Sequence, residues 1–183
     1  GFDGSCPRDM KNAKKTGEDN FTIFPSRRGG ISEEAPGKGF SFGVVVRNSG
    51  RVARPVTLHV DWEDEDCQYM KYLDFVFIKN ERDDDWRLIP ASVKGHVSTI
   101  TASFQPGRTQ VFLNPKYNYG DYESFMCRIG RDRRVTIKTA GKSEEGRELG
   151  LAALGEGDVR VFIMARNHAY ESAGNYCLEG MAE

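Results

Sequence analysis

Val161-Phe-Ile-Met-Ala-Arg-Asn-His168-Ala-Tyr-Glu171, running into Ser172-Ala-Gly-Asn-Tyr-Cys-Leu-Glu-Gly180, is the stretch on which the reading of this chain turns. Val159, Val161 and Ile163 alternate with Arg160, Phe162 and Met164, a run short and apolar enough for a buried strand. The imidazole of His168 then falls just past that strand's end, where α/β sheets gather their ligand-binding groups. A carboxylate, Glu171, follows three residues on, and small residues lead into a helix-like stretch. Imidazole nitrogen and glutamate oxygen are two of the three protein ligands of a His₂Glu catalytic zinc site. The spacing alone is common. The same residues also read as a hydrogen-bonded histidine at a strand end and an ordinary acidic residue in a helix's first turn.

A second motif lies upstream. Gly141-Lys-Ser-Glu-Glu-Gly146-Arg147-Glu-Leu, followed by Leu151-Ala-Ala-Leu154, resembles the opening of the catalytic domain of the zinc metallocarboxypeptidases, in particular those of the cytosolic type. In that family a G-x-S-x-E-G-R turn joins the first two strands, and a third strand carries H-x-x-E. Both motifs occur here in that order, and the resemblance covers about Val135 to Glu183. It implies zinc as cofactor, His168 and Glu171 as metal ligands, and the C-terminus of a peptide or protein as substrate. There are departures. Tyr170 precedes the ligand glutamate where relatives often carry arginine or glycine, which puts the neighbouring substrate subsite in doubt. The family's second ligand histidine, carboxylate-binding arginine and general-base glutamate lie far downstream and have no counterpart in this sequence. His59 and His96 precede the motif, and alternation places them on strands as sheet-face or surface residues.

Composition fits a folded chain. Its 183 residues can bury a sizeable core. A net charge of −1 with both signs interspersed gives no electrostatic case for nucleic acid or an anionic membrane. No apolar run approaches the ~20 residues that span a bilayer. Cys6, Cys67, Cys127 and Cys177 form no C-x-x-C pair, and reduced, mostly buried thiols are expected. A cytoplasmic location is the corresponding expectation.

Toward the front the chain reads as β-structure. Phe21 to Phe24 is a short strand, and Ser26 to Gly39 is a loop rich in Gly and Pro. Phe40, Phe42, Val44 and Val46 form one period-2 run, Asn48-Ser49-Gly50 turns it, and Val56, Leu58, Val60 and Trp62 form the next. Phe75 to Ile78, Trp86 to Ile89, Val97 to Phe104 and Thr109 to Leu113 are further candidates, with Pro106-Gly107 turning the last two. Many short strands between turn signals predict an antiparallel β-sandwich. The acidic clusters Glu63 to Asp66 and Asp83 to Asp85 lack a spaced calcium-loop pattern and read as solvated hairpin tips. Pro115-Lys-Tyr117-Asn-Tyr119-Gly-Asp-Tyr122-Glu-Ser-Phe125 reads as an aromatic seam between domains. Its tyrosines also suit stacking on a ligand. The stretch is similar to the tyrosine-rich segment before the catalytic domain of cytosolic-type carboxypeptidases.

The expected architecture is therefore mainly β. Residues 1–131 make an antiparallel β-sandwich, and residues 132–183 make the first strands and helix of an α/β zinc carboxypeptidase domain, incomplete at Glu183. Gly130 to Arg134 is the expected joint, and residues 135–165 are expected to contain parallel strands beside the opening hairpin. The resemblance implies hydrolysis of a C-terminal peptide bond by the parent protein and little or no turnover by this chain alone. The alternative is a non-catalytic β-sandwich binding or scaffold module, in which Val135 to Met181 completes the sandwich.

Overall fold

The computed structural model describes residues 13–25, 42–62, 74–167 and 171–182. Glu63 to Asp66, Cys6, Cys67, His168, Tyr170 and the loop expected from Ser26 lie outside them. The chain divides into two compact units, Gly1–Lys116 and Tyr117–Glu183.

The first unit is built on β1 (Ala13–Lys15), β2 (Asn20–Ile23), β3 (Gly43–Asn48), β4 (Arg54–Asp61), β5 (Phe75–Asn80), β6 (Arg87–Lys94), β7 (Val97–Phe104) and β8 (Gly107–Phe112). These form one eight-stranded sheet in the order β1-β2-β4-β7-β6-β5-β8-β3. Alternation does what the sequence implies: Val56, Leu58 and Val60 are buried on β4, while Thr57, His59 and Asp61 face outward. On that outer face Thr57 and Thr101 share a hydrogen bond of 3.1 Å, and His59 Nδ1 lies 3.1 Å from Thr99 Oγ1. The inward residues join Ile23, Phe42, Trp62, Val76, Ile78, Ile100, Phe104, Val111 and Leu113 in one core. Buried polar groups within it are satisfied, with Trp62 Nε1 donating to Ser98 Oγ (3.2 Å) and Asn80 Nδ2 to Thr109 Oγ1 (2.8 Å).

Ring contacts show that this sheet curls. Phe42 precedes edge strand β3, and Trp62 follows β4, five strand spacings away in the sheet order. Laid flat, that is about 24 Å. The two ring centroids are 6.1 Å apart and edge-on, so the sheet bends over its own core. Mainly β-structure is thus present, as one curled sheet.

Two expectations need correction. The arrangement is mixed rather than purely antiparallel, because β2 runs parallel to β4. A parallel pair needs a long crossover, and residues 24–53, which include β3, supply one here. In addition, β3 and β4 do not pair with each other. β3 pairs with β8, and β4 with β2 and β7. The turn at Asn48 is real: Gly50 N donates to Asn48 Oδ1 (2.9 Å), and Asn48 Nδ2 donates to the Phe104 carbonyl (3.0 Å). It leads the chain across the fold instead of closing a hairpin. Gly43 has a packing reason, since a Cβ there would sit 2.3 Å from the Phe112 ring.

The second unit contains α1 (Tyr119–Ile129), β9 (Val135–Lys142), β10 (Glu148–Leu154) and α2 (Ala173–Ala182). Helix α1 occupies the stretch expected as an aromatic seam. It starts where a capping box forms: Asn118 Oδ1 accepts from Asp121 N (3.0 Å), and Asp121 Oδ2 accepts from Asn118 N (2.6 Å). Phe125 and Ile129, one turn apart, are its buried residues. Asn118→Ala is expected to destabilise this unit by about 1 kcal/mol, read from the urea midpoint; no change would mean that the cap contributes nothing.

Gly130 to Arg134, the expected joint, is a turn between α1 and β9. Asp132 accepts from the Arg134 guanidinium (2.6 Å at closest) and from its backbone N–H (2.9 Å), and these bonds draw its carboxyl down to about 2. β9 and β10 pair antiparallel in a sheet of their own, with an irregularity at Leu149/Gly150. Val159 to Ile163, expected as a buried strand, pairs with nothing in a sheet. Val159 is 86% exposed and Phe162 76%. Its apolar pattern suits burial, but among the described residues no strand lies alongside to bond its backbone. No parallel strand occurs between residues 135 and 165.

Candidate functional site

The hairpin tip between β9 and β10 is the G-x-S-x-E-G-R segment. Ser143 organises it: its N–H donates to the Arg147 carbonyl (2.9 Å), its carbonyl accepts from Gly146 N (2.9 Å), and its hydroxyl accepts from Arg147 N (3.2 Å). Gly146 adopts φ +77°, a conformation glycine takes without steric cost. The motif thus joins two antiparallel strands, as the resemblance implies. An open depression of about 440 Å³ beside it is lined by Tyr119, Ser143, Glu144, Glu145, Arg147 and Glu148 with Leu149. Glu171 is not part of it.

Tyrosines tie the second unit together. Tyr122 Oη accepts from Gly150 N (2.8 Å) at the β10 irregularity, and a Cβ at Gly150 would meet that oxygen at 2.3 Å. Tyr117 is 5% exposed and makes three attachments. Its hydroxyl donates to Glu179 Oε1 on α2 (2.6 Å), its ring meets Tyr176 edge-on at 5.3 Å, and its carbonyl accepts from Arg166 Nη1 (2.6 Å). Arg128 of α1 completes the cluster with a 2.8 Å bond to Glu179 Oε2. Burial, together with the Glu179 carboxylate at its oxygen, pushes the Tyr117 phenol well above its ordinary value. It stays protonated, and so a donor, throughout the neutral range.

Of the two candidate ligands, Glu171 is described and His168 lies outside the described residues. Glu171 is exposed and precedes α2, which begins at Ala173. Its carbonyl accepts from Gly174 N (3.3 Å), and its neighbour Ser172 is buried. No acidic residue occupies the first turn of α2, so the reading of Glu171 as a first-turn helix residue does not hold. Among the described residues no three His, Cys, Asp or Glu side chains are grouped to hold a metal ion.

The upstream histidines are accounted for in the sheet. His59 lies on β4, and His96, expected on a strand, sits in the β6–β7 turn with Nε2 3.5 Å from Asp61 Oδ1. Asp83 to Asp85 follow β5 at a hairpin tip, where Asp83 accepts from Asn80 N (2.9 Å). Cys127 and Cys177 are free thiols as expected, but both are exposed rather than buried, because α1 and α2 turn those positions outward. No described helix is long and apolar enough to cross a membrane.

No family model matches the chain, and no curated protein matches it in sequence. Solved structures do match in three dimensions. A protein provisionally named carboxypeptidase A from Shewanella denitrificans OS-217 superposes with a TM-score of 0.73 at 16% identity, over 93% of this chain and 45% of that one. A metallo-carboxypeptidase from Burkholderia cenocepacia gives 0.68 at 19% identity, over 87% and 42%. The metallo-carboxypeptidase of Pseudomonas aeruginosa, solved with (2-guanidinoethylmercapto)succinic acid, gives 0.60 at 9% identity, over 79% and 37%. The chain spans less than half the length of each of these proteins. At such identities the likeness is one of fold, and the fold this chain carries is metallo-carboxypeptidase-like.

Proposed function

We propose that this chain is the opening portion of a zinc-dependent carboxypeptidase, with His168 and Glu171 as two of its three protein ligands to the metal. The single observation that supports this best is the order of parts in the second unit. A hairpin tipped by Ser143 to Arg147 comes first, and Glu171 follows it, two residues ahead of helix α2, in a chain whose fold matches metallo-carboxypeptidases. Imidazole nitrogen and carboxylate oxygen are donor types that zinc accepts, and Glu171 is exposed enough to reach one. The chemistry a bound zinc supplies is polarisation of the scissile carbonyl and a water whose pKa falls to about 7. The substrate class is a peptide or protein C-terminus, and a cytoplasmic setting belongs to the same proposal. The front unit, whose curled sheet has the two packed layers of a sandwich in this reading, holds no part of the metal site.

Two ligands do not make a catalytic zinc site, so the 183-residue chain is expected to bind zinc weakly and release no amino acid from peptides. A form extended to the length of the matched structures is expected to release C-terminal residues, to fail on peptides with blocked C-termini, and to lose activity to a chelator. Zinc-dependent turnover by the short chain would mean that the catalytic residues have been misplaced. An extended form that neither binds zinc nor cleaves would end the proposal.

A further inference from the structure

We draw no further inference here: the strongest candidate, the exposed apolar surface patch that Val159, Val161, Phe162, Ile163 and Met164 form between β10 and α2 of the second unit, carries none, because nothing among the described residues shows what covers it.

Discussion

His168→Ala, made in the extended protein, is expected to abolish zinc binding and release of C-terminal residues together. Removing a partner that merely orients a ligand costs about 10–100-fold in metal affinity, so removing a ligand itself should cost more than about 100-fold. That corresponds to more than about 2.7 kcal/mol. Turnover should fall with metal occupancy, because the reaction depends on the ion. Metal content after gel filtration and amino acid release from unblocked peptides read the two effects side by side. Circular dichroism excludes unfolding as the cause. Full activity in this variant would sink the metal assignment, whatever the fold.

Phe104→Ala carries the largest expected effect on stability. The ring ends β7, is 1% exposed, and belongs to the single core over which the sheet curls. Truncation removes buried apolar surface and leaves a cavity whose walls close only partly, at a cost of about 3–5 kcal/mol. Set against a total of about 5–15 kcal/mol for a domain, this unfolds a substantial part of the population under mild denaturant. Leu88→Ala, at a side chain 59% exposed on β6, is the control and should stay within about 0.5 kcal/mol. Urea midpoints for both variants check the pair. A loss under about 1 kcal/mol at Phe104 would contradict its place in the core.

The strands were legible because their faces differ. Val56, Leu58 and Val60 announce β4 by alternation, and β7 runs over Val97–Phe104 as expected, for the same reason. What alternation does not encode is which strand lies beside which. The same residues would bury their faces equally well if β3 and β4 formed a hairpin, and nothing in Asn20–Ile23 announces that it runs parallel to β4. Helix α1 was legible in principle. Asn118 and Asp121 make a capping box and Phe125 and Ile129 share a face, but the three tyrosines also read as an aromatic seam between domains. The run Val159 to Ile163 marks the other limit: apolar periodicity shows that a segment suits burial, while the element that buries it must come from elsewhere.

The candidate site was legible only in part, and for a chemical reason. The hairpin motif was readable because Ser143 and Gly146 are the residues such a tip demands, a hydroxyl that bonds the backbone and a positive φ. Tyr117 was not readable as an anchor, since its partners Arg166 and Glu179 lie 49 and 62 residues away in sequence. Glu171 carries no mark of its proposed role beyond its spacing from His168 and its place ahead of α2.

The central claim, that His168 and Glu171 share a metal ion, is tested most directly by anomalous diffraction at the zinc edge from crystals of the extended protein. The account predicts one peak per chain, with an imidazole nitrogen of His168 and a carboxylate oxygen of Glu171 each about 2.0–2.2 Å from it. A peak held by other residues, or none in crystals grown with zinc, would contradict it.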